Sequence, residues 1–418
     1  MKIKTPRELA FESLKKCFKD GKYSNLEVLT NLSRVSLEQR DKALYTALVY
    51  GVIEKSITLD WIIDKYSKLP VEELDADTLI SLRLGIYQIM YMDRIPAFSA
   101  CDESVKLVSH KSKSYVNAIL RNVAKNKALL QEQMENAPLQ IKYSVPQYII
   151  DIWIKGYGEE QTVEILKGFS VNPPLTLRVN TLKSTVEEIL EHIEGHVHPN
   201  LPDIIYTSGN AEALYGFDEG KFFIQGSNSR YAVSALKLSP GETVIDTCSC
   251  PGGKSFSAAI DMQNKGKIYS FDLHANKLSL VTKGAKRLGI DIIETAELNA
   301  TKPREDLKGS ADAVICDVPC SGLGIIAKKP DIKYKNLSDI ERLPEIQLSI
   351  LTASSEYLKK GGRLMYSTCT LNPEENEKIT DEFLKTHKGF HRAEGFPRTA
   401  FPTDVWEDGF FCDLIIKD

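Results

Sequence analysis

Beyond Val244 the chain alternates short apolar runs with helical stretches, and that alternation calls for a mostly parallel sheet with helices on both faces. The predicted strands are 243–247, 267–272, 292–296, 313–317 and 363–367. Helices are expected after Pro251, Ala275, Leu343 and Glu374, with Gly361-Gly362 stopping a helix ahead of the fifth strand. Residues 410–416, following Asp408-Gly409, fit the return strand of a terminal hairpin. The fold class is therefore α/β, with a Rossmann-like sheet.

The first third of the chain follows a different period. Leu9, Ala10, Leu14, Cys17 and Phe18 recur at helical spacing, as do Ala43, Leu44, Ala47, Leu48 and Val52. Further stripes run through Leu79, Leu82, Ile86 and Ile89, then Val116, Ile119, Leu120 and Val123. Asp75 or Asp77 can cap one helix, and Pro96 separates two others. This is the pattern of a small helical bundle. Between the two regions, an alternating strand over 175–180, a helix over 185–193 and strands at 204–206 and 221–224 suggest a small α+β module. The expected division is 1–130 helical, 131–230 linker and α+β module, and 231–418 the larger sheet.

At 418 residues and 42% hydrophobic, the chain is long enough to bury several cores. No run approaches the ~18 uncharged apolar residues of a membrane span. Met1-Lys2-Ile3-Lys4-Thr5-Pro6-Arg7-Glu8 lacks the apolar stretch of a signal peptide, so a cytoplasmic protein is expected, as a monomer. The net charge of −4 argues against a general polyanion binder. It hides an asymmetry, because residues 1–130 carry 21 Lys+Arg against 16 Asp+Glu while the remainder is acidic. A locally basic helical region can contact phosphates, although a solvated helical surface has the same charge. Eight cysteines form no disulfide framework, and five lie between Cys248 and Cys369. Cys248, Cys250, Cys316 and Cys320 are spaced C-x-C and C-x3-C, unlike zinc knuckles. His192, His196 and His198 fall in a polar loop beside Pro199 with no completing ligand, so no metal is expected.

In an open α/β sheet, ligands bind beyond the carboxyl ends of the strands where strand order reverses. The first strand ends at Asp246 and leads into Thr247-Cys248-Ser249-Cys250-Pro251-Gly252-Gly253-Lys254, a glycine turn that opens a helix. The second strand ends at Asp272, 20 residues past Gly252, where an acid reaches the hydroxyls of a cofactor ribose. The G-x-G-x-x-G of dinucleotide sites is absent. Gly253-Lys254-Ser255 imitates a P-loop, but the first glycine of that cradle would be Cys248. S-adenosylmethionine has a ribose and no phosphate, and it fits this segment.

Two further segments bring thiols to the mouth of the sheet, Asp317-Val318-Pro319-Cys320 and Ser367-Thr368-Cys369-Thr370. They follow strands expected to be neighbours, so both thiols can face one pocket. A thiolate that adds to carbon 6 of a cytosine turns carbon 5 into a nucleophile for a sulfonium methyl. That addition needs an acid near ring nitrogen 3, a role suited to Asp317. Cys320 and Cys369 are both candidates for the attacking thiol. Cys17, Cys101, Cys316 and Cys412 suit plain burial.

These segments, with Leu177-Arg178-Val179-Asn180, Asn372-Pro373-Glu374-Glu375-Asn376 and Asp408-Gly409-Phe410-Phe411, resemble the motifs of RNA cytosine-5 methyltransferases over about residues 170–418. Residues 1–130 resemble the RNA-binding helical domain of NusB. The fusion is characteristic of the Sun, or RsmB-type, bacterial enzymes that methylate 16S ribosomal RNA, which would be the partner. The resemblance implies that Cys248, Ser249, Cys250, Pro251, Gly252, Gly253 and Lys254 hold the methionine end of S-adenosylmethionine, and Asp272 its ribose. It places Asp317 beside both cofactor and base, with Lys254 in the catalytic set. It makes Cys369 the nucleophile and Cys320 the thiol that assists product release, whereas DNA cytosine methyltransferases attack with the Pro-Cys thiol. Asn299 stands where the family has an adenine-contacting Asp, and an acceptor oxygen is retained there. Cys250 replaces a residue that is commonly alanine, and Gln225-Gly226-Ser227 lacks the usual Asp. A transfer RNA methyltransferase and a non-catalytic RNA-binding or antitermination factor are the alternatives.

Overall fold

The computed structural model describes residues 4–35, 37–171, 173–402 and 407–418; Met1, Lys2 and Ile3, read above as part of a polar N-terminus, lie outside the described residues. Two compact units are present, Met1–Lys155 with Ile326–Tyr334, and Gly156–Ile325 with Lys335–Asp418.

The first unit is helical, as its apolar spacing requires. Its helices include Pro6–Asp20, Gln39–Tyr66, Ala76–Tyr91, Ala97–Lys106 and His110–Lys125. Leu14, Leu48, Val52, Leu82, Ile86 and Leu120 are fully buried in one core. Thr5 caps the first helix through a capping box with Glu8. Asp75 caps the helix Ala76–Tyr91 by accepting the Thr78 N–H at 3.0 Å.

Ile326–Tyr334, far along the chain, belongs to this unit. Its Lys333 is 3% exposed. The Lys333 Nζ donates to the carbonyls of Glu54 and Ser144, each at 3.0 Å. Burial pushes the ammonium down to about 7. The unfolded chain keeps that proton up to about 10.5 and the folded chain only to about 7, so folding gains stability as pH rises between these values. Lys333→Met removes this dependence. The stability of wild type minus that of the variant should rise by more than about 1 kcal/mol between roughly pH 7 and 9, measured by denaturant unfolding. A difference that does not vary with pH would contradict the burial.

The second unit carries two sheets. The smaller contains Leu175–Val179 (β1), His196–His198 (β2), Leu201–Thr207 (β3) and Phe222–Ile224 (β4), antiparallel in the order β2-β3-β1-β4. The expected polar loop at 196–198 is thus an edge strand, paired through His196 to Tyr206. Arg178 of β1 is 1% exposed and bonds Asp203 of β3 at 2.7 Å. Arg230, on the helix Ser227–Ala235, pairs with the same Asp203 at 3.0 Å and with Asp261 at 2.5 Å. Asp261 ends the helix Gly253–Asp261, so this buried network fixes the small sheet against the helix that follows the glycine turn. Breaking it would leave buried charge without a partner.

The larger sheet comprises Thr243–Asp246 (β5), Lys267–Asp272 (β6), Ile293–Glu297 (β7), Ala311–Asp317 (β8), Leu358–Thr368 (β9), Phe390–Arg392 (β10), Arg398–Ala400 (β11) and Phe410–Lys417 (β12). Its order is β10-β12-β9-β8-β5-β6-β7, with β11 pairing β12. Strands β5 to β9 are parallel, and β12 runs antiparallel to β9. One correction concerns Gly361-Gly362. The preceding helix, Leu343–Ser355, has already ended, and the pair lies within β9. Gly361, at φ +74°, turns a detour in the strand where Ala311 faces Leu358 but Ala313 faces Arg363. Strand order reverses at β5, between β8 and β6, which puts the switch point at Asp246.

Candidate active site

The turn after β5 wraps a cavity of about 210 Å³ at the switch point. Asp246, Cys248, Ser249, Cys250, Pro251, Gly253, Lys254 and Asp317 line it. Gly252 opens the following helix at φ +113°, and a Cβ there would come within 2.4 Å of the Phe256 ring. Only glycine fits that position.

Three buried polar atoms on the cavity wall, Asp246 Oδ1, Gln225 Oε1 and Ser249 Oγ, have no hydrogen-bond partner among the described residues. Buried oxygens of this kind need a donor. Burial raises the Asp246 carboxyl to about 7, against a lowering bond from Ser255 Oγ at 2.6 Å, so a cation in the cavity would favour its ionised form. Two acceptors and a hydroxyl suit an ammonium group. Asp246 and Asp317 against one Lys254 disfavour a polyphosphate. The residues fit the amino-acid end of S-adenosylmethionine.

Asp317 ends β8 opposite Ser367 of β9. It accepts from Ser367 Oγ at 2.7 Å and from Lys254 Nζ at 2.7 Å. Lys254 also lies over the Phe410 ring, 5.6 Å from its centroid. Beyond these strand ends the Cys320 and Cys369 sulfurs approach to 3.3 Å. Contact with Cys369 first, then burial and the nearby Glu375 and Asp317 carboxylates, push the Cys320 thiol well up. Either sulfur can donate to the other across this contact. Close backbone approach completes the arrangement. The Gly324 N–H donates to the Cys369 carbonyl at 3.0 Å, the Gly409 N–H donates to the Gly324 carbonyl at 2.7 Å, and a Cβ on Gly324 would strike Gly409.

Asp272 and Asn299 are outside the cavity wall. Asp272 ends β6 and accepts the His274 N–H at 2.9 Å. Cys250 lies against it, and burial followed by that carboxylate pushes this thiol up to about 12. Asn299, just past β7, is exposed, and its Oδ1 accepts from the Thr301 N–H at 3.1 Å and its hydroxyl at 2.8 Å. Cys316 is buried inside β8, away from any ligand role. His192 stacks on Tyr215 at 3.8 Å, His198 is buried beside Glu407, and no group of three or more metal-ligating side chains occurs among the described residues. Ile224 at the end of β4, Gln225 and Gly226 just past it, and Ser229 on the helix Ser227–Ala235 also reach the cavity. In the sequence, Gln225 and Gly226 stand in the segment that departs from the family motif, and Ser229 carries no signal.

A switch-point cavity that fits the ammonium end of an amino acid, on this sheet, is the arrangement of an S-adenosylmethionine-dependent methyltransferase. A family model described as 16S rRNA methyltransferase RsmB/F matches residues 233–412, a NusB family model matches 4–125, and a ferredoxin-like domain model of the RsmF/B type matches 145–203. The probable ribosomal RNA small subunit methyltransferase B of Bacillus subtilis (strain 168) is 35% identical over 404 residues, covering 93% of this chain and 90% of the relative. The corresponding protein of Synechocystis sp. is 31% identical, covering 94% and 92%. The crystal structure of PH0851 superposes with a TM-score of 0.79 at 26% identity, covering 99% of both chains. The chain belongs to the RsmB family of methyltransferases. Among the described residues no helix is long and apolar enough to cross a membrane.

Proposed function

We propose that the protein methylates carbon 5 of a cytosine in 16S ribosomal RNA through a covalent cysteine adduct. The observation that carries this reading is the pair of thiols 3.3 Å apart, at the ends of adjacent strands, beside the Lys254–Asp317 pair. A methyl transfer to an oxygen or an exocyclic nitrogen needs no thiol. A carbon 5 transfer needs one to attack carbon 6 and benefits from a second when the first must leave. S-adenosylmethionine, when bound, supplies the methyl group on an electrophilic sulfonium. Cys369 attacks carbon 6 as the thiolate, its proton having passed to water, and the Lys254 ammonium, held by Asp317, lends a proton toward ring nitrogen 3. After methylation the carbon 5 proton passes to water, the ring nitrogen 3 proton returns to Lys254, and the bond from carbon 6 to sulfur breaks. Cys320 donates its proton to the departing Cys369 sulfur, from which it returns across the 3.3 Å contact to reset the pair.

Ribosomal RNA as substrate is supported by the relatives, named ribosomal RNA small subunit methyltransferases, whose match spans nearly the whole chain. The basic helical region, residues 1–130, would supply phosphate contacts. Bisulfite sequencing of ribosomal and transfer RNA from cells with and without the gene tests the assignment. Loss of one methyl mark confined to 16S RNA is expected. A mark lost only from transfer RNA transfers the substrate there, and no lost mark leaves a non-catalytic RNA-binding factor.

Asp272 is assigned to the cofactor ribose and Asn299 to the adenine. Asp272→Ala should weaken S-adenosylmethionine binding by ~1.5–3 kcal/mol, the range for losing a hydrogen bond to a charged group. Unchanged affinity by calorimetry, with the fold intact, would contradict the ribose assignment.

A further inference from the structure

Glu375 is a fully buried carboxylate that takes no part in any bond made or broken in the reaction above. Four donors converge on its two oxygens. They are the Ser321 N–H at 2.8 Å, the Ser321 hydroxyl at 2.5 Å, Gln347 Nε2 at 2.9 Å and Asn372 Nδ2 at 3.0 Å. Gln347 Nε2 also donates to the Pro319 carbonyl at 2.9 Å. The peptide groups on both sides of Cys320 are thus held by one Glu375–Gln347 pair. The neighbouring Asn376, also fully buried, does the equivalent for the other thiol. It accepts from the Thr368 hydroxyl at 2.6 Å and donates to the Thr370 carbonyl at 3.0 Å, on either side of Cys369. The adjacent Glu374 is exposed and pairs with Lys378 at 2.7 Å. A carboxylate withdrawn from water costs free energy unless its hydrogen bonds are complete. Here every bond made by the Glu375 carboxylate goes to the Cys320 loop, to the side chain that clamps it, or to its own turn.

The geometry points to Glu375 and Asn376 as paired positioning residues that set the two thiols separately, Glu375 through the Cys320 loop and Asn376 through the Cys369 loop. The inference rests on the assignment of attack to Cys369 and release to Cys320. It forecasts opposite failures from neighbouring residues. Glu375→Gln keeps the shape but turns an amino group toward donors, loosening Cys320. Multiple-turnover methylation should fall by about 10- to 100-fold, the scale of a small misplacement, with single-turnover transfer nearly retained and covalent RNA–enzyme adduct accumulating on denaturing gels. Asn376→Asp keeps the acceptor for Thr368 and sets a carboxylate against the Thr370 carbonyl, loosening Cys369. Single-turnover transfer and adduct should then fall together by about 10- to 100-fold.

The experiment uses full-length enzyme, labelled substrate RNA and calorimetry with S-adenosylmethionine to establish that each variant is folded. Should Glu375→Gln fail to fold, Gln347→Met, which removes the bond to the Pro319 carbonyl and keeps Glu375, must show the same adduct accumulation. Folded Glu375→Gln with wild-type turnover, or with lost turnover and no adduct while Cys320→Ala does trap one, overturns the inference. If Cys320→Ala itself traps no adduct, the release assignment fails, and the positioning role is judged on turnover, where a wild-type rate in both variants overturns it.

Discussion

Cys369→Ala is expected to abolish methylation, lowering turnover by roughly 10⁴-fold or more, because removal of a covalent nucleophile leaves only binding and orientation. No adduct with RNA should form at any time point. S-adenosylmethionine affinity should be unchanged, since Cys369 is not on the cavity wall that surrounds the glycine turn. Retained methylation in this variant would place the attack elsewhere. Rapid-quench assays with tritiated cofactor, alongside calorimetry, measure both quantities.

Cys320→Ala should fail in the opposite sense. Attack and methyl transfer need only Cys369, so close to one methyl group per enzyme should be transferred in a single burst. The Cys369 sulfur would then lack the thiol 3.3 Å away that can protonate it on departure. Elimination slows, steady-state turnover is lost, and enzyme accumulates joined to RNA through denaturing electrophoresis. Both variants keep the fold, because each loop is held by backbone and Glu375 or Asn376 bonds rather than by the sulfurs. A Cys320→Ala enzyme that turns over normally would remove that thiol from the mechanism.

The elements that position this chemistry were readable because each carries a local signal. Strand β6 appears at its predicted bounds, 267–272, between Gly266 and the helix that starts at Ala275. The neighbouring ends of β8 and β9 followed from two apolar runs closed by acid-Val-Pro-Cys and Ser-Thr-Cys, and their register sets Asp317 beside Ser367 as parallel pairing demands. Strands β2, β10 and β11 were not seen. Each is three residues of mixed polarity, without the wholly apolar run that marks the equally short β4, and β2 is a histidine-rich edge strand.

What escaped is what depends on tertiary partners. Gln225 stands in the sequence as a departure from a motif, and its place on the cavity wall comes from its own bonds, its N–H to the Thr176 carbonyl at 3.2 Å and its Nε2 to the Gly253 carbonyl at 3.1 Å. Glu375 and Glu374 are adjacent and chemically identical in sequence. Only the arrival of Ser321, 54 residues away, and Gln347, 28 away, makes one buried and the other exposed to solvent. Lys333 gave no warning, since lysines are rarely buried. Two strand ends at neighbouring positions bring Cys320 and Cys369 together, but the 3.3 Å contact and the carboxylates around Cys320 arise only from the packing of their loops.

The most direct test identifies the cysteine that bonds to the base. RNA carrying 5-fluorocytidine at the target position blocks loss of the carbon 5 substituent and holds wild-type enzyme at the adduct. Proteolysis and nuclease digestion, followed by mass spectrometry, then report which peptide carries the nucleotide. The mass should fall on Cys369, in the Ser367-Thr368-Cys369-Thr370 segment. A nucleotide on Cys320 would reverse the two roles, and the absence of any adduct with folded, cofactor-binding enzyme would contradict the covalent mechanism itself.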